Sequence, residues 1–332
     1  MINFRFHLVS LVAVFLALGL GILVGSTVVD QKIVDRLDRD IDRVSRDNAE
    51  RRDANKRLAQ ENAQLREALD SVAPYAGDGR LDNESVAVIA EDGVDGDDVE
   101  ATAQALRAAG AEVPGVVWLD DAWQLDTDKR VEALQTALGL EGSVSRTRDT
   151  ALAGLADRLA RASSSETTTS RPRGTGTSTS TTGPAASTVD ALAALEQAGF
   201  VRISDGDLSD FEAFPAHSPS VVVVTGDDSH FLGSGFTTAF VRALAASRAP
   251  TALAAVYDPG NDPDNAPDRG ASLASVLDDR NLSNAVSTVD DLDLQQGRIA
   301  AVLALDMLAQ GGAIGHYGYG DGASAPLPAH QP

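Results

Sequence analysis

The sequence predicts three parts in series: a single N-terminal transmembrane helix, a parallel dimeric coiled coil, and an α/β domain with a mostly parallel sheet and a disordered Ser/Thr-rich insertion. Three observations carry this prediction. Residues 8–29 contain no charge. A heptad holds register from Val34 to Val72. From about residue 80 onward, short apolar strands alternate with helical stretches.

Leu8–Val29 is 22 residues long, with Ser10, Ser26 and Thr27 as its plainly polar members. As a helix it covers ~33 Å, enough for the hydrocarbon core of a bilayer. A cleaved signal peptide would have a shorter apolar region and a small-residue cleavage site. Gly25-Ser26-Thr27-Val28 offers no clear one, so the segment reads as a retained anchor after a short tail, residues 1–7. Ala17, Gly21 and Gly25 recur every four residues. That spacing of small side chains lets two helices approach closely. Counting Lys and Arg alone would put the segment after the span inside, but a long folded domain can translocate regardless of nearby charge, so charge leaves orientation open.

The heptad places Val34, Ile41, Asn48, Asn55, Asn62 and Leu69 at one core position, and Leu37, Val44, Arg51, Leu58, Leu65 and Val72 at the other. Polar Asn in a seam costs stability but fixes register and favours two strands. A lone solvated helix is the alternative. Sharing its direction with a paired span, the coil over residues 30–73 should be parallel and ~58 Å long from Val34 to Val72. Residues 30–72 carry 10 basic and 11 acidic side chains, so with Arg5 the whole net charge of −22 belongs to residues 73–332.

Pro74 is expected to end the helix, with Gly77-Asp78-Gly79 as a turn. Strands are expected at Ser85–Ala90, Gly115–Leu119, Val221–Thr225 and Thr251–Tyr257. Helices are expected at Asp97–Ala109, Lys129–Leu138, Ala151–Ala162, Val189–Ala198, Thr237–Ser247 and Leu294–Gln310. Strand then helix, repeated, is the pattern of a parallel α/β sheet. Residues 163–188 are almost wholly Ser, Thr, Gly, Pro and Ala, and read as a disordered insertion within one domain spanning 80–320. Residues 321–332 read as a disordered tail.

Composition excludes several kinds of chemistry. There is no cysteine, so disulfides, thiolate metal sites and cysteine nucleophiles are out. Met1 and Met307 are too few for a methionine-rich soft-metal site. The negative surface argues against nucleic acid as a partner. The loop Glu91-Asp92-Gly93-Val94-Asp95-Gly96-Asp97-Asp98 would repel a phosphate, and Gly226-Asp227-Asp228 is acidic again. Gly233-Ser234-Gly235 lacks the serine hydrolase elbow and reads as a helix N-terminal turn, with His230 solvated beside it. His7, His217, His230, His316 and His330 form no spaced pair on a helix. Asp258, Asn261, Asp262, Asp264, Asn265 and Asp268 lack the EF-hand order, and Asp205, Asp207 and Asp210 read as a solvated acidic loop. No catalytic residue and no cofactor site is assigned, the metal is left unknown, and the chain is expected not to be an enzyme.

Several stretches carry a family resemblance. They are the opening Met1–Phe15, then Leu18-Gly19-Leu20-Gly21-Ile22-Leu23-Val24-Gly25, then Ser287-Thr288-Val289-Asp290 with Gly297-Arg298-Ile299-Ala300, and His316-Tyr317-Gly318. Together they resemble the actinobacterial MctB family, labelled copper transporter, which includes SteB-type cell-envelope proteins. The resemblance implies a cytoplasmic N-terminus and a main domain in the cell envelope; the family label also suggests the outer membrane. It implies a role in copper efflux or homeostasis. Its SteB-type members imply an alternative, a dimeric coiled-coil scaffold that pairs with a SteA-type membrane partner to control cell-wall hydrolase and cell separation. Cu(I) prefers thiolate and thioether ligands, which this chain hardly has, so no ligand set is carried over.

Overall fold

The computed structural model describes residues 4–160, 191–206, 220–258 and 268–329. The insertion expected at 163–188 lies outside them, as do Asn261, Asp262, Asp264, Asn265, Asp207, Asp210, His217 and His330. The chain divides into two compact units, Met1–Glu67 and Ala68–Pro332.

A single helix, α1, runs from Phe4 to Gly77. Its stretch Phe4–Gly25 is 22 residues long and apolar enough to cross a membrane. Pro74 does not end the helix, contrary to expectation. A proline removes one backbone N–H and crowds one preceding turn, but the residues on either side of it pack against the domain. Ala73 is buried, and the Cα of Gly77 lies close enough to Ala109 and Val302 that an added Cβ would sit 3.4 Å and 3.6 Å from their side chains. The stop comes at the turn after Gly77, where Arg80 N–H donates to the Gly77 carbonyl.

The second unit is built on seven strands: β1 Val86–Glu91, β2 Val116–Leu119, β3 Val201–Ser204, β4 Ser220–Gly226, β5 Thr251–Val256, β6 Ser287–Val289 and β7 His316–Tyr317. Their order in the sheet is β3-β2-β1-β4-β5-β6-β7. All neighbours are parallel except β2 and β3, where Trp118 pairs with Arg202 antiparallel.

Period-2 alternation in apolar strands sends side chains to both faces, and helices cover each. On one face Ala87, Ile89, Val117, Leu119, Val221 and Val223 pack beneath α3 (Asp128–Leu138), α4 (Val144–Ala160), α5 (Ala191–Gln197) and α6 (Phe236–Ser247). The short α7 (Ala274–Leu277) and α8 (Arg280–Ser283) join that layer through Val276 and Leu282. On the other face Val86, Val88, Ala90, Val222, Val224 and Ala254 meet α2 (Gly96–Ala108) and α9 (Gln295–Ala309). Aromatic rings fill the first layer, with Phe236 stacked on Phe231 at 4.2 Å between centroids and tilted against Trp123 at 5.8 Å.

The chain beyond Gly320, expected to be disordered, is held on the sheet as far as it is described. Ala325 bridges to Tyr317, Gly318 N–H donates to the Ala325 carbonyl, and Pro328 is buried. A Pro/Ala/Gly composition lacks side-chain anchors, but here backbone hydrogen bonds to β7 serve instead.

Candidate functional site

From β1 the chain winds toward β2, and from β4 toward β5. Adjacent β1 and β4 therefore form the topological switch point of the sheet. In open α/β folds, the crevice outside the strand ends at such a point is where ligands bind. Here it is a cavity of about 210 Å³ lined by Val94, Asp95, Asp98, Gly226, Asp227, Asp228, Val256, Tyr257 and Asp258.

Beside the lining residues in sequence, at the end of β1, stands Glu91. That residue, expected in a loop, is the last of β1 and is fully buried. It accepts hydrogen bonds from Thr225 at 2.7 Å, Ser229 at 2.5 Å and Thr237 at 2.5 Å. These donors lie on β4, on the loop after it, and on the first turn of α6. One carboxylate thus ties three consecutive pieces of chain together. Burial still wins over the three hydroxyls and pushes the Glu91 pKa up.

The crevice walls are acidic. Asp95 caps α2 by accepting from Asp97 N–H at 2.8 Å, so a carboxylate already stands at the helix end and opposes an anion there. Burial raises the Asp98 pKa against the pull of Arg298, which donates to it at 2.7 Å. Asp228 is raised first by its hydrogen bond with Asp258, and Asp227 by burial. Arg269 lies 4.2 Å over the ring of Tyr257, a lining residue, and makes a bidentate pair with Asp293 at 2.6 Å and 2.9 Å.

The remaining sequence candidates fall elsewhere. Ser234 is a helix-entry residue, as expected: its hydroxyl donates to the Phe231 carbonyl and accepts from Phe236 N–H. His230 lies 3.0 Å from Asp92, and its side chain is 55% exposed. His316 sits 3.0 Å from the Thr288 hydroxyl, and burial lowers its pKa. Met307 sulfur accepts from the Tyr317 hydroxyl at 3.8 Å. Asp205 pairs with Arg107. Among the described residues, no three His, Asp or Glu side chains are placed to hold a metal ion together.

In the single chain, Ala17, Gly21 and Gly25 are exposed, and nothing lies within 4 Å of a Cβ built on either glycine. The seam residues Leu37, Ile41, Val44, Asn48, Arg51, Asn55, Leu58, Asn62, Leu65 and Val72 are exposed as well, and Leu69 is half-buried. The side chain of Val34 lies outside the described residues. The acids at the strand ends were each visible in the sequence as loop residues. Their convergence was not, because it depends on strand order.

Comparison with known proteins bears on the whole chain. A family model described as "Copper transport outer membrane protein, MctB" matches residues 1–328. The copper transporter MctB of Mycobacterium tuberculosis (strain ATCC 25618 / H37Rv) is 31% identical over 338 residues, covering 97% of this chain and 98% of the relative. The protein of the same name from Mycobacterium bovis gives the same figures. That from Mycobacterium leprae is 28% identical over 342 residues, covering 98% of each. With an apolar N-terminal helix, a mostly parallel α/β domain and a match along nearly its full length, the chain belongs to the MctB family.

Proposed function

We propose that this chain is a membrane-anchored, non-enzymatic component of copper handling in the cell envelope, working as a parallel dimer. The observation that carries the copper role is the match over residues 1–328 to a family whose relatives are named copper transporters. The exposed seam supports the dimer: Leu37, Ile41, Val44, Leu58, Leu65 and Val72 are each more than half exposed on one helix, at heptad spacing.

Copper enters this reading as cargo. The described residues do not fit a soft Cu(I) site, since the chain has no thiolate and the Met307 thioether already accepts from Tyr317. One span without ionisable residues in its apolar stretch Leu8–Gly25 also lines no pore by itself. The chain therefore contributes to copper tolerance together with other subunits, with its N-terminus in the cytoplasm and its α/β domain on the far side of the membrane.

The test is a deletion strain grown in graded copper and complemented with the wild-type gene or with Leu58→Glu/Leu65→Glu. Deletion should sensitise cells to copper, the wild-type gene should restore tolerance, and the seam variant should not. Unchanged copper tolerance in the deletion strain would overturn the copper role. Full rescue by the seam variant would remove the dimer from it.

A further inference from the structure

Asp291 follows β6 and is fully buried, and its carboxylate oxygens have no hydrogen-bond partner outside their own residue. The other buried acids among the described residues accept hydrogen bonds. Glu91 accepts from three hydroxyls, Asp290 from two backbone amides, and Asp306 from Arg80 and Gln310. A buried carboxylate with no donor strongly favours its neutral acid.

The charged groups that act on Asp291 are Asp290 beside it, Asp293 on the loop into α9, and Arg269 from the segment ahead of α7. Arg298 of α9 donates through its Nη2 to Asp98, and its Nε is buried without a hydrogen-bond partner. Both flanking acids hold one piece of chain. Asp290 accepts from Tyr319 N–H at 2.9 Å and from Gly320 N–H at 2.8 Å. Asp293 holds Arg269, whose carbonyl accepts from Asp321 N–H at 3.3 Å. On the α9 side there is no slack, because a Cβ on Gly297 would lie 2.6 Å from Asp291 Oδ1.

We propose that Asp291 is a proton-operated catch for the segment 316–325. As the neutral acid it leaves the Asp290 and Asp293 contacts undisturbed. Ionised, it places a third negative charge between them, and α9 blocks relief on one side. The segment must then loosen to admit water. Burial and the neighbouring Asp290 push the Asp291 pKa up to about 7, which puts the change in the neutral range.

The sign follows from linkage. A carboxyl whose pKa is raised in the closed state favours closure at low pH. Between an ordinary aspartate value of about 3.9 and the raised one, opening becomes up to about tenfold easier per pH unit. Above the raised value the effect is flat. Hydrogen–deuterium exchange of the full chain in detergent tests this on the peptide covering residues 316–325, after correction for intrinsic exchange. From about pH 7 down to about pH 5, protection of that peptide should rise by up to about a hundredfold. In Asp291→Asn that rise should be lost, leaving the opposite slope that His316 of the same segment contributes through its burial-lowered pKa. A flat wild-type profile, or an unchanged slope in the variant, would overturn the catch. If the variant does not fold, infrared titration of the wild-type chain carrying ¹³C-carboxyl aspartate decides. A protonated aspartate band lost near neutral pH supports the catch, and its absence refutes it.

Discussion

Thr237→Val removes one hydroxyl from the Glu91 cluster while keeping a β-branched side chain of nearly the same shape. The lost contact is short, 2.5 Å, and both partners are buried. A hydrogen bond to an ionised group is worth ~1.5–3 kcal/mol, against ~1 kcal/mol for a neutral one. The cost of the substitution should therefore grow with pH, from about 1 kcal/mol where Glu91 is protonated to about 2–3 kcal/mol where it is ionised. Glu91→Gln should behave differently, because its NH2 can donate to Thr225 and Ser229, whose hydroxyls turn to accept, while its carbonyl oxygen still accepts from Thr237. Burial raises the Glu91 pKa. Its contribution to stability is then greatest below the ordinary glutamate value of about 4.3 and is lost as pH rises through the raised folded value. The glutamine variant should lack that part of the slope, and at pH 8 it should be at least as stable as the wild type. Denaturant unfolding of the full chain in detergent, followed by tryptophan fluorescence, measures both. The two tryptophans, Trp118 and Trp123, lie in the α/β domain, and Trp123 is fully buried. A cost for Thr237→Val that shrinks with rising pH, or stays under about 0.5 kcal/mol throughout, would refute the reasoning.

Further predictions concern the rest of the molecule. The wild-type chain should sediment as the proposed dimer in density-matched analytical ultracentrifugation and Leu58→Glu with Leu65→Glu as a monomer, since charges replace two apolar seam positions. Phe236→Ala should cost about 3–5 kcal/mol in the same unfolding assay, because it empties the site between Phe231, Phe240 and Trp123. Gly318→Ala should destabilise by about 2 kcal/mol or more, since φ is +130° there and the new methyl group would meet the Asp290 carboxylate. Arg269→Lys should cost about 1–2 kcal/mol, because lysine cannot reproduce the bidentate pair with Asp293 or the stack on Tyr257.

Much of the fold was readable because its signals are local. β1, β4 and β5 are runs of apolar residues buried on both faces, and each was placed to within one residue at either end. α2, α3, α6 and α9 carry the helical period and fell within one residue as well. α4 begins seven residues earlier than expected, at Val144 rather than Ala151, because its first turns are polar and present no apolar stripe. The strands β3, β6 and β7 were not read as strands. β3 is a four-residue antiparallel edge, and β6 and β7 have three and two residues, too short for any periodicity. The candidate site was less legible still. Glu91 sits among other acids in sequence, and only the register that puts it beside Thr225 and Ser229 distinguishes it. Nothing local marks Asp291 as the acid of its trio left without donors, while Asp290 caps Tyr319 and Gly320.

The Ala325–Tyr317 bridge has a bearing on aggregation. In a dimer joined along the helical seam, two copies of the α/β domain would be tethered at an effective concentration on the order of millimolar. At that density an unpaired strand border invites its twin to dock, and natural sheets guard such borders. The last described residues sit alongside β7 and leave that border closed to a neighbour. The opposite border, β3, is only four residues long, and Arg202 rests on Trp118 beside it. Shortening the chain before Ala325 should therefore show itself first as clumping of the tethered pair, before any loss of the individual fold.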